Sequence, residues 1–512
     1  MPVEKKALFL GFVLFGLLIA KHDAFFHDDA YISLRYAQNF SETGLLQWNL
    51  GETVEGYTSL LHVLLAGWLI DVGIPAVLAV QLLNAIAAAA VIFITYRATK
   101  EITSDPQDRL ARSLTTLAVA CSSSIAIWTL GGLEAVFVAA LLIGGVWALL
   151  SFLNREDPWV LACSCTAFSL AALTRLDSSV FIFGAAIGLL LSSQLPIRQK
   201  FVAASLVVGV PAAVAFAQVG LRLKVYGEVL PLTYYAKADL PILLKIQSGA
   251  PYVARAVVVV PVVGLAILGV ALATIKKRID GSTVLLLVPI ILQLSYVVWA
   301  GGDHMPSNRM IVPLIAPSAL LLLSVSIQLG TRWLYWLPRT AFLLTVGIAV
   351  MQPKKHKDPA AFFGEIVGRH IDEKWPRDIT VALNTAGSTP FYANTGRVFI
   401  DMLGLNDPVI AKRENIPILI DNQLRPGHAK GDGEYVLTRK ADRIVIGPSQ
   451  GAKAEDPWFL SDVELNQSIE FHSCYEERTE EITYSRDPLR LGPEQPELLI
   501  FTYYERTCPL GL

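Results

Sequence analysis

From Ala7 to about Met351 the chain is a succession of apolar runs, many near the ~20 residues a helix needs to cross a bilayer. A chain built this way is a polytopic membrane protein over that stretch. Its composition agrees: 53% of the 512 residues are hydrophobic and 17% charged, where a soluble protein carries about a quarter charged. After Met351 the sequence reads as an ordinary soluble domain. Two parts are therefore expected, a transmembrane part over 1–352 and a water-soluble part over 353–512.

The runs at 7–21, 75–97, 112–130, 133–153, 159–174, 178–194, 200–222, 253–275, 283–300, 310–329 and 340–352 predict about eleven crossings. Met1–Ala20 has a signal-peptide look, with Lys5 and Lys6 before the apolar core, and reads as an uncleaved first span. The run 58–71, "TSLLHVLLAGWLID", is short for a span and reads as a juxtamembrane helix. Lys and Arg collect in cytoplasmic loops. With Lys5 and Lys6 inside, Arg97, Arg155, Arg198, Lys276 and Arg332 also fall inside. The loops 22–57, 131–132, 175–177, 223–252 and 301–309 then lie outside. "PKKHKD" at 353–358 runs against this pattern, but long domains translocate largely regardless of flanking charge.

Beyond residue 359, "ITVAL", "RVFID", "ADRIVIG" and "ELLIFTYYER" read as short strands with helix or turn between them, a small α/β domain. Cys121, Cys163 and Cys165 fall in apolar runs, whereas Cys474 and Cys508 could pair if the soluble part is extracytoplasmic. With a net charge of −2 and no basic stripe, no nucleic-acid partner is expected.

The unusual polar residues fall on the outer side. "FFHDDAYISLRYAQNF" places Asp28, Asp29 and Arg35 just past the first span, and "GETVEGYTS" adds Glu55 and Tyr57. "GGLEA" holds Glu134, and "LTRLDSS" holds Arg175 and Asp177. "YGEVLPLTYYAK" brings Tyr234, Tyr235 and Lys237, and "GGDHMPSNRMIVP" brings Asp303, His304 and Arg309. Each has a plainer reading by itself. The aspartates could cap a helix, Arg175 and Asp177 could be an interfacial ion pair, and the tyrosines could belong to an aromatic belt. Lys237 could snorkel, and His304 could be a turn residue. Their joint occurrence on one face instead points to a single pocket at the outer membrane surface, since ionisable groups near a bilayer usually face a protein-lined cavity.

The chemistry such a pocket suits is glycosyl transfer from a lipid phosphate. A carboxylate can take the proton of a sugar hydroxyl. Arginine and lysine can hold the phosphate and stabilise it as it leaves. Aromatic faces can pack on sugar rings. The acids could also hold a divalent cation, Mg or Mn, which two adjacent aspartates do not settle.

The sequence resembles the GT-C superfamily of polytopic glycosyltransferases, on the paired acids of "HDDAYISLRYAQNF" and the juxtamembrane helix after them. In detail it is similar to the terminal β-(1→2) arabinofuranosyltransferases of mycobacterial cell walls and their bacterial relatives. The matching pieces are "DDAYISLRYA", "VEGYTS", "LTRLD", "YGEVLPLTYYAK", "GGDHMPSNRMIVP", "FIDMLGLNDPVIA" and "RPGHAK". The resemblance implies a GT-C-like helical membrane protein with a C-terminal α/β domain. It implies inverting transfer of D-arabinofuranose from a polyprenyl-phosphate donor to a glycan or protein acceptor. The expected setting is the bacterial inner membrane, with the site and the C-terminal domain facing the periplasm. Carried onto these residues, Asp28 and Asp29 are the catalytic pair, with Asp29 the base, and Arg175, Lys237 and Arg309 bind the donor phosphate. Glu55, Tyr57, Tyr234, Tyr235, Asp303, His304 and His428 would line the substrate pocket. Asp177 departs from the Pro-Glu that relatives often place after this arginine, which leaves its role open. A transporter or flippase of lipid-linked glycans is the alternative, although transporters place their ionisable residues near the midplane.

Overall fold

The computed structural model describes residues 3–192, 195–238, 241–394, 396–485 and 496–509. Residues 193–194, at the end of the 178–194 run, and 239–240, in the 223–252 loop, lie outside it. The apolar part is helical. It runs through α1 (Val3–Lys21), α2 (Asp28–Thr43), α3 (Leu60–Asp71), α4 (Ala76–Ile102), α5 (Arg109–Ala120), α6 (Ser123–Leu130), α7 (Ala135–Arg155) and α8 (Pro158–Thr174). It continues through α9 (Ser178–Leu191), α10 (Ile197–Tyr226), α11 (Leu232–Ala238), α12 (Ile242–Val259), α13 (Pro261–Ile275), α14 (Gly281–Ala300), α15 (Val312–Leu329) and α16 (Thr331–Met351).

Among the described residues, eight helical segments are long and apolar enough to cross a bilayer by length and composition. α3, α8, α9 and α13 are shorter apolar helices. The expected run 253–275 is two helices. Pro261 has no N–H to continue the ladder and disfavours helical geometry at Val260, so α12 stops there. α12 itself starts at Ile242, inside the stretch expected to be loop, and the run 340–352 is the end of the 21-residue α16.

The C-terminal part begins with α17 (Pro359–Lys374) and β1 (Thr380–Leu383), then the short α18 (Ser388–Tyr392) and β2 (Val398–Asp401). β3 (Arg443–Val445), β4 (Tyr475–Ser485) and β5 (Pro496–Arg506) complete a sheet of order β2-β1-β3-β5-β4. β1 pairs in parallel with β2 and β3, whereas β5 is antiparallel to both β3 and β4. Cys474 and Cys508 form a disulfide where β4 begins and β5 has just ended. Alternation along each strand splits its side chains between two faces. Val381, Leu383 and Phe399 join a core continuous with the helices, and Ala382, Ile400 and Ile444 pack under Val436, Leu465 and Phe471 on the other side.

α2 ties the two parts together. Asn49, just after it, exchanges two hydrogen bonds with the Phe399 backbone, at 2.8 and 3.1 Å. The Tyr31 and Tyr392 hydroxyls lie 3.1 Å apart, and the Tyr36 hydroxyl donates to Asn406 Oδ1 at 3.2 Å. Arg35 is buried between the Trp48 and Phe399 rings and donates to the Trp48 carbonyl at 2.6 Å and to the Pro390 carbonyl. Its place in the chain suggested a pocket cation; it is instead a strut between the parts.

Candidate functional site

α2 starts at Asp28 because His27 caps it, its Nδ1 accepting from the Asp29 N–H at 3.3 Å. The cap is thus histidine and not an aspartate. With ~100° between successive helical residues, the two aspartates point different ways. Asp28 turns into the C-terminal part, where its carboxylate accepts from the Ser388 N–H at 2.9 Å and the Ser388 hydroxyl at 2.6 Å. It does not line the cavity. Burial pushes its carboxyl up to about 7 against those two hydrogen bonds. Asp29 lines a cavity of about 280 Å³, and its side chain is 28% exposed there. Burial alone would raise its pKa; His27, Lys237, His304 and Arg309 outweigh it and hold the carboxyl at about 2.

Residues distant in sequence meet in this cavity. Arg175, just past α8, lines it while gripping Asp177 with two hydrogen bonds of 2.9 and 2.8 Å. A third goes to Glu134 at 2.5 Å. Asp177 therefore orients Arg175. Arg309 also lines the cavity, donating from Nε to Asp303 at 3.0 Å with its guanidinium over the Trp128 ring. Lys237 reaches in from α11 and has no ion-pair partner among the described residues. Burial lowers the pKa of its ammonium group, and Asp29 is the strongest of the charges opposing that.

Tyr57, Tyr234, Asp303 and His304 line the same space. Gly302, before Asp303, has φ +68, and a Cβ there would lie 2.7 Å from the Tyr252 ring, so the Gly-Gly-Asp turn needs glycine. His428 does not line the cavity but backs it. Its ring is 5.0 Å from that of His304, and burial lowers its pKa to about 4. Pro426 of the same turn forms part of the wall.

Besides His428, two expected pocket residues, Glu55 and Tyr235, do not line the cavity. Glu55 is buried in an ion pair with Arg222, and its carbonyl accepts from the Leu232 N–H at 3.0 Å, which anchors the start of α11. Arg222, at the cavity wall, holds the Glu55 side chain outside the cavity. Tyr235 packs edge-on against Tyr234 and lies under Lys412, outside the cavity. Conversely, Arg222, Lys245, Tyr296 and Trp299 line the cavity without having been expected there. The first lies at the end of α10, Lys245 in a stretch read as loop, and the rings at the end of α14. Lys245 sits 4.8 Å from the centre of the Trp299 ring.

Among the described residues no group of three or more His, Cys, Asp or Glu side chains could hold a metal ion. Asp28 is committed to Ser388, and Glu134, Asp177 and Asp303 are each engaged by arginine. The donor set does not fit the divalent cation considered from sequence.

Over 96% of the chain and 72% of the other, the fold overlays a crystal structure of the Archaeoglobus fulgidus oligosaccharyltransferase in complex with Zn and sulfate, at 14% identity and TM-score 0.52. Archaeal oligosaccharyltransferase AglB from the same organism, in complex with an inhibitory peptide and a dolichol-phosphate, overlays at 12% identity and TM-score 0.53. That match covers 86% of this chain and 69% of AglB. The chain has the GT-C fold. ArnT from Cupriavidus metallidurans, bound to undecaprenyl phosphate, is a looser likeness at TM-score 0.48 and 10% identity, over 77% of this chain and 85% of ArnT. The family described as Domain of unknown function (DUF8728) matches residues 359–490. No curated protein matches the chain. The cavity sits where the loops before α3, α7, α9 and α11 and the turn after α14 come together, against the C-terminal turn at Pro426.

Proposed function

We propose that the chain is an inverting glycosyltransferase that moves D-arabinofuranose from a polyprenyl-phosphate donor to a glycan or protein acceptor at the outer face of a bacterial inner membrane. The observation that carries this reading is the meeting of Asp29, Lys237, Arg175 and Arg309 in one cavity. AglB binding a dolichol-phosphate supports a lipid-phosphate donor. The sugar rests on the resemblance of "VEGYTS" and "YGEVLPLTYYAK". The periplasmic side rests on the distribution of Lys and Arg. In this reading residues 1–352 form the membrane part, and the periplasmic domain, 353–512, supplies the wall at Pro426.

Asp29 accepts the acceptor hydroxyl proton as that oxygen bonds to the anomeric carbon from the face opposite the phosphate. The bond from carbon to phosphate oxygen breaks, and its electron pair leaves with the lipid phosphate. The donor phosphodiester carries one negative charge and the departing monoester two. Lys237, Arg309 and Arg175 therefore bind the transition state more tightly than the ground state, which is what accelerates the reaction. The cations that keep Asp29 acidic are partly neutralised when the donor phosphate binds. Its basicity rises at that moment, and a base nearer the working pH is more effective.

The test is transfer by the purified full chain from decaprenyl-phosphoryl-arabinose to an arabinan oligosaccharide, with the product linkage read by mass spectrometry. The expected product is one residue longer with inverted anomeric configuration. Transfer of only another sugar from its polyprenyl phosphate would remove the arabinose assignment, and no transfer from any such donor would remove the activity.

A further inference from the structure

The 3-10 helix Pro306–Ile311 stands between two cavities. Arg309 and Met310 line the one described above, whereas Ser307 and Asn308 line a second of about 170 Å³. Helix breaks meet at this second cavity. One separates α5 from α6 at Ser122, one separates α12 from α13 at Val260, and Ser307 and Asn308 have φ of +58 and +50. Its lining carries no acidic residue, and Arg255 of α12 is the charged group in it. Arg255 has no ion-pair partner among the described residues.

Two further features point the same way. The first turn of the eight-residue α6 opens on the cavity, and its N-cap, Ser122, makes no side-chain cap hydrogen bond. The free N–H groups and dipole of a helix N-terminus favour an anion. Independently, Ser123 also lines the cavity; it is 6% exposed and its Oγ has no hydrogen-bond partner among the described residues. A buried hydroxyl without a partner is unfavourable, so it reads as a donor kept for a ligand. Val258 and Val259 of α12, close in sequence to Arg255, are exposed, and α12 is one of the segments apolar enough to cross a bilayer by length and composition. An unpaired guanidinium on such a helix calls for an anion.

We propose that this second cavity binds the phosphate of a lipid headgroup, held by Arg255, the Ser123 hydroxyl and the first N–H groups of α6, with the lipid chain lying along α12. The site is separate from the donor cavity, and occupancy would press on the 3-10 helix that carries Arg309. An arginine that merely snorkels to the surface is the competing explanation.

Native mass spectrometry of the full chain, released from detergent, tests the proposal with farnesyl monophosphate, a short-chain phosphatidylglycerol and inorganic phosphate as probes. Arg255→Gln should raise the Kd of one lipid-binding event at least tenfold while leaving the event removed by Lys237→Gln in place. Loss confined to farnesyl monophosphate would assign an isoprenoid carrier, and loss confined to phosphatidylglycerol a bulk phospholipid. Either result supports the site. If every Kd stays within twofold of wild type, or inorganic phosphate binds as tightly as both lipids, the proposal is overturned. Ser123→Ala, which removes one hydroxyl, should weaken the same event and serves where Arg255→Gln does not fold. If the Lys237-dependent event is absent while the Arg255-dependent one persists, the donor reading fails and this one stands.

Discussion

At the residue scale, adjacency in sequence hides a division of labour. Asp28 and Asp29 are one bond apart, yet Asp28 is clasped by Ser388 and sits at about 7 while Asp29 faces four basic groups and sits at about 2. Burial without a counter-ion raises the first, and charge lowers the second. A folded-state value above the unfolded one means that the stability from Asp28 is fully present below about pH 4 and lost as pH rises through about 7. The difference in Tm between wild type and Asp28→Asn should therefore fall steadily from pH 4.5 to 8. A flat difference would show that Asp28 is already ionised throughout. The pair was legible in the sequence. Which member enters the cavity was not, because that depends on the rotation of α2, fixed by His27 and by the docking of Ser388. Glu55 was misread for a similar reason: its partner, Arg222, comes from a helix 167 residues further on.

At the scale of elements, α2 is the hinge-pin of the site, since one face contributes Asp29 and another docks the C-terminal part. Gly387, just before α18, packs closely against the start of α2. A Cβ there would lie 2.2 Å from the Asp28 carbonyl oxygen. Gly387→Ala must push α18 away from α2, and overpacking of this kind costs about 1–3 kcal/mol. Thermal unfolding should show a lower Tm and transfer should fall with it; a variant as stable and active as wild type would mean that the contact is dispensable. Removing Arg35 should do more. Arg35→Ala takes the charged donor from the carbonyls of Trp48 and Pro390, leaving the former to Asn39, and hydrogen bonds to charged groups contribute about 1.5–3 kcal/mol each. Denaturant unfolding should register a loss of at least ~2 kcal/mol; no loss would show that Arg35 is solvated in solution. Most elements could be read from hydropathy. β4 could not, because "YEERTEEITYS" is charged along its exposed face and its pairing with β5 is set by distant residues. α12 could not either, because Lys245 and Pro251 interrupt its apolar pattern.

At the scale of the whole molecule, loops far apart in the chain must lie on one side of the membrane for the cavity to exist. With Cys163 replaced by serine, a membrane-impermeant thiol reagent should modify Val229→Cys from outside. Lys277→Cys should react only after permeabilisation. The reverse pattern would put the cavity on the cytoplasmic face. That these loops would share a side could be argued from the placement of Lys and Arg, but their depth and contacts could not, since those arise from packing of α9 against α10 and α14 and of α8 against α10. The most direct measurement separates binding from chemistry at the cavity. Donor affinity and single-turnover transfer should be measured for wild type, Asp29→Asn and Lys237→Gln. Asp29→Asn should bind the polyprenyl-phosphate donor within a few-fold of wild type and lose transfer by at least 10²-fold, the lower range for a general base, whereas Lys237→Gln should weaken donor binding. Full transfer by Asp29→Asn, or unchanged donor affinity in Lys237→Gln, would contradict the account.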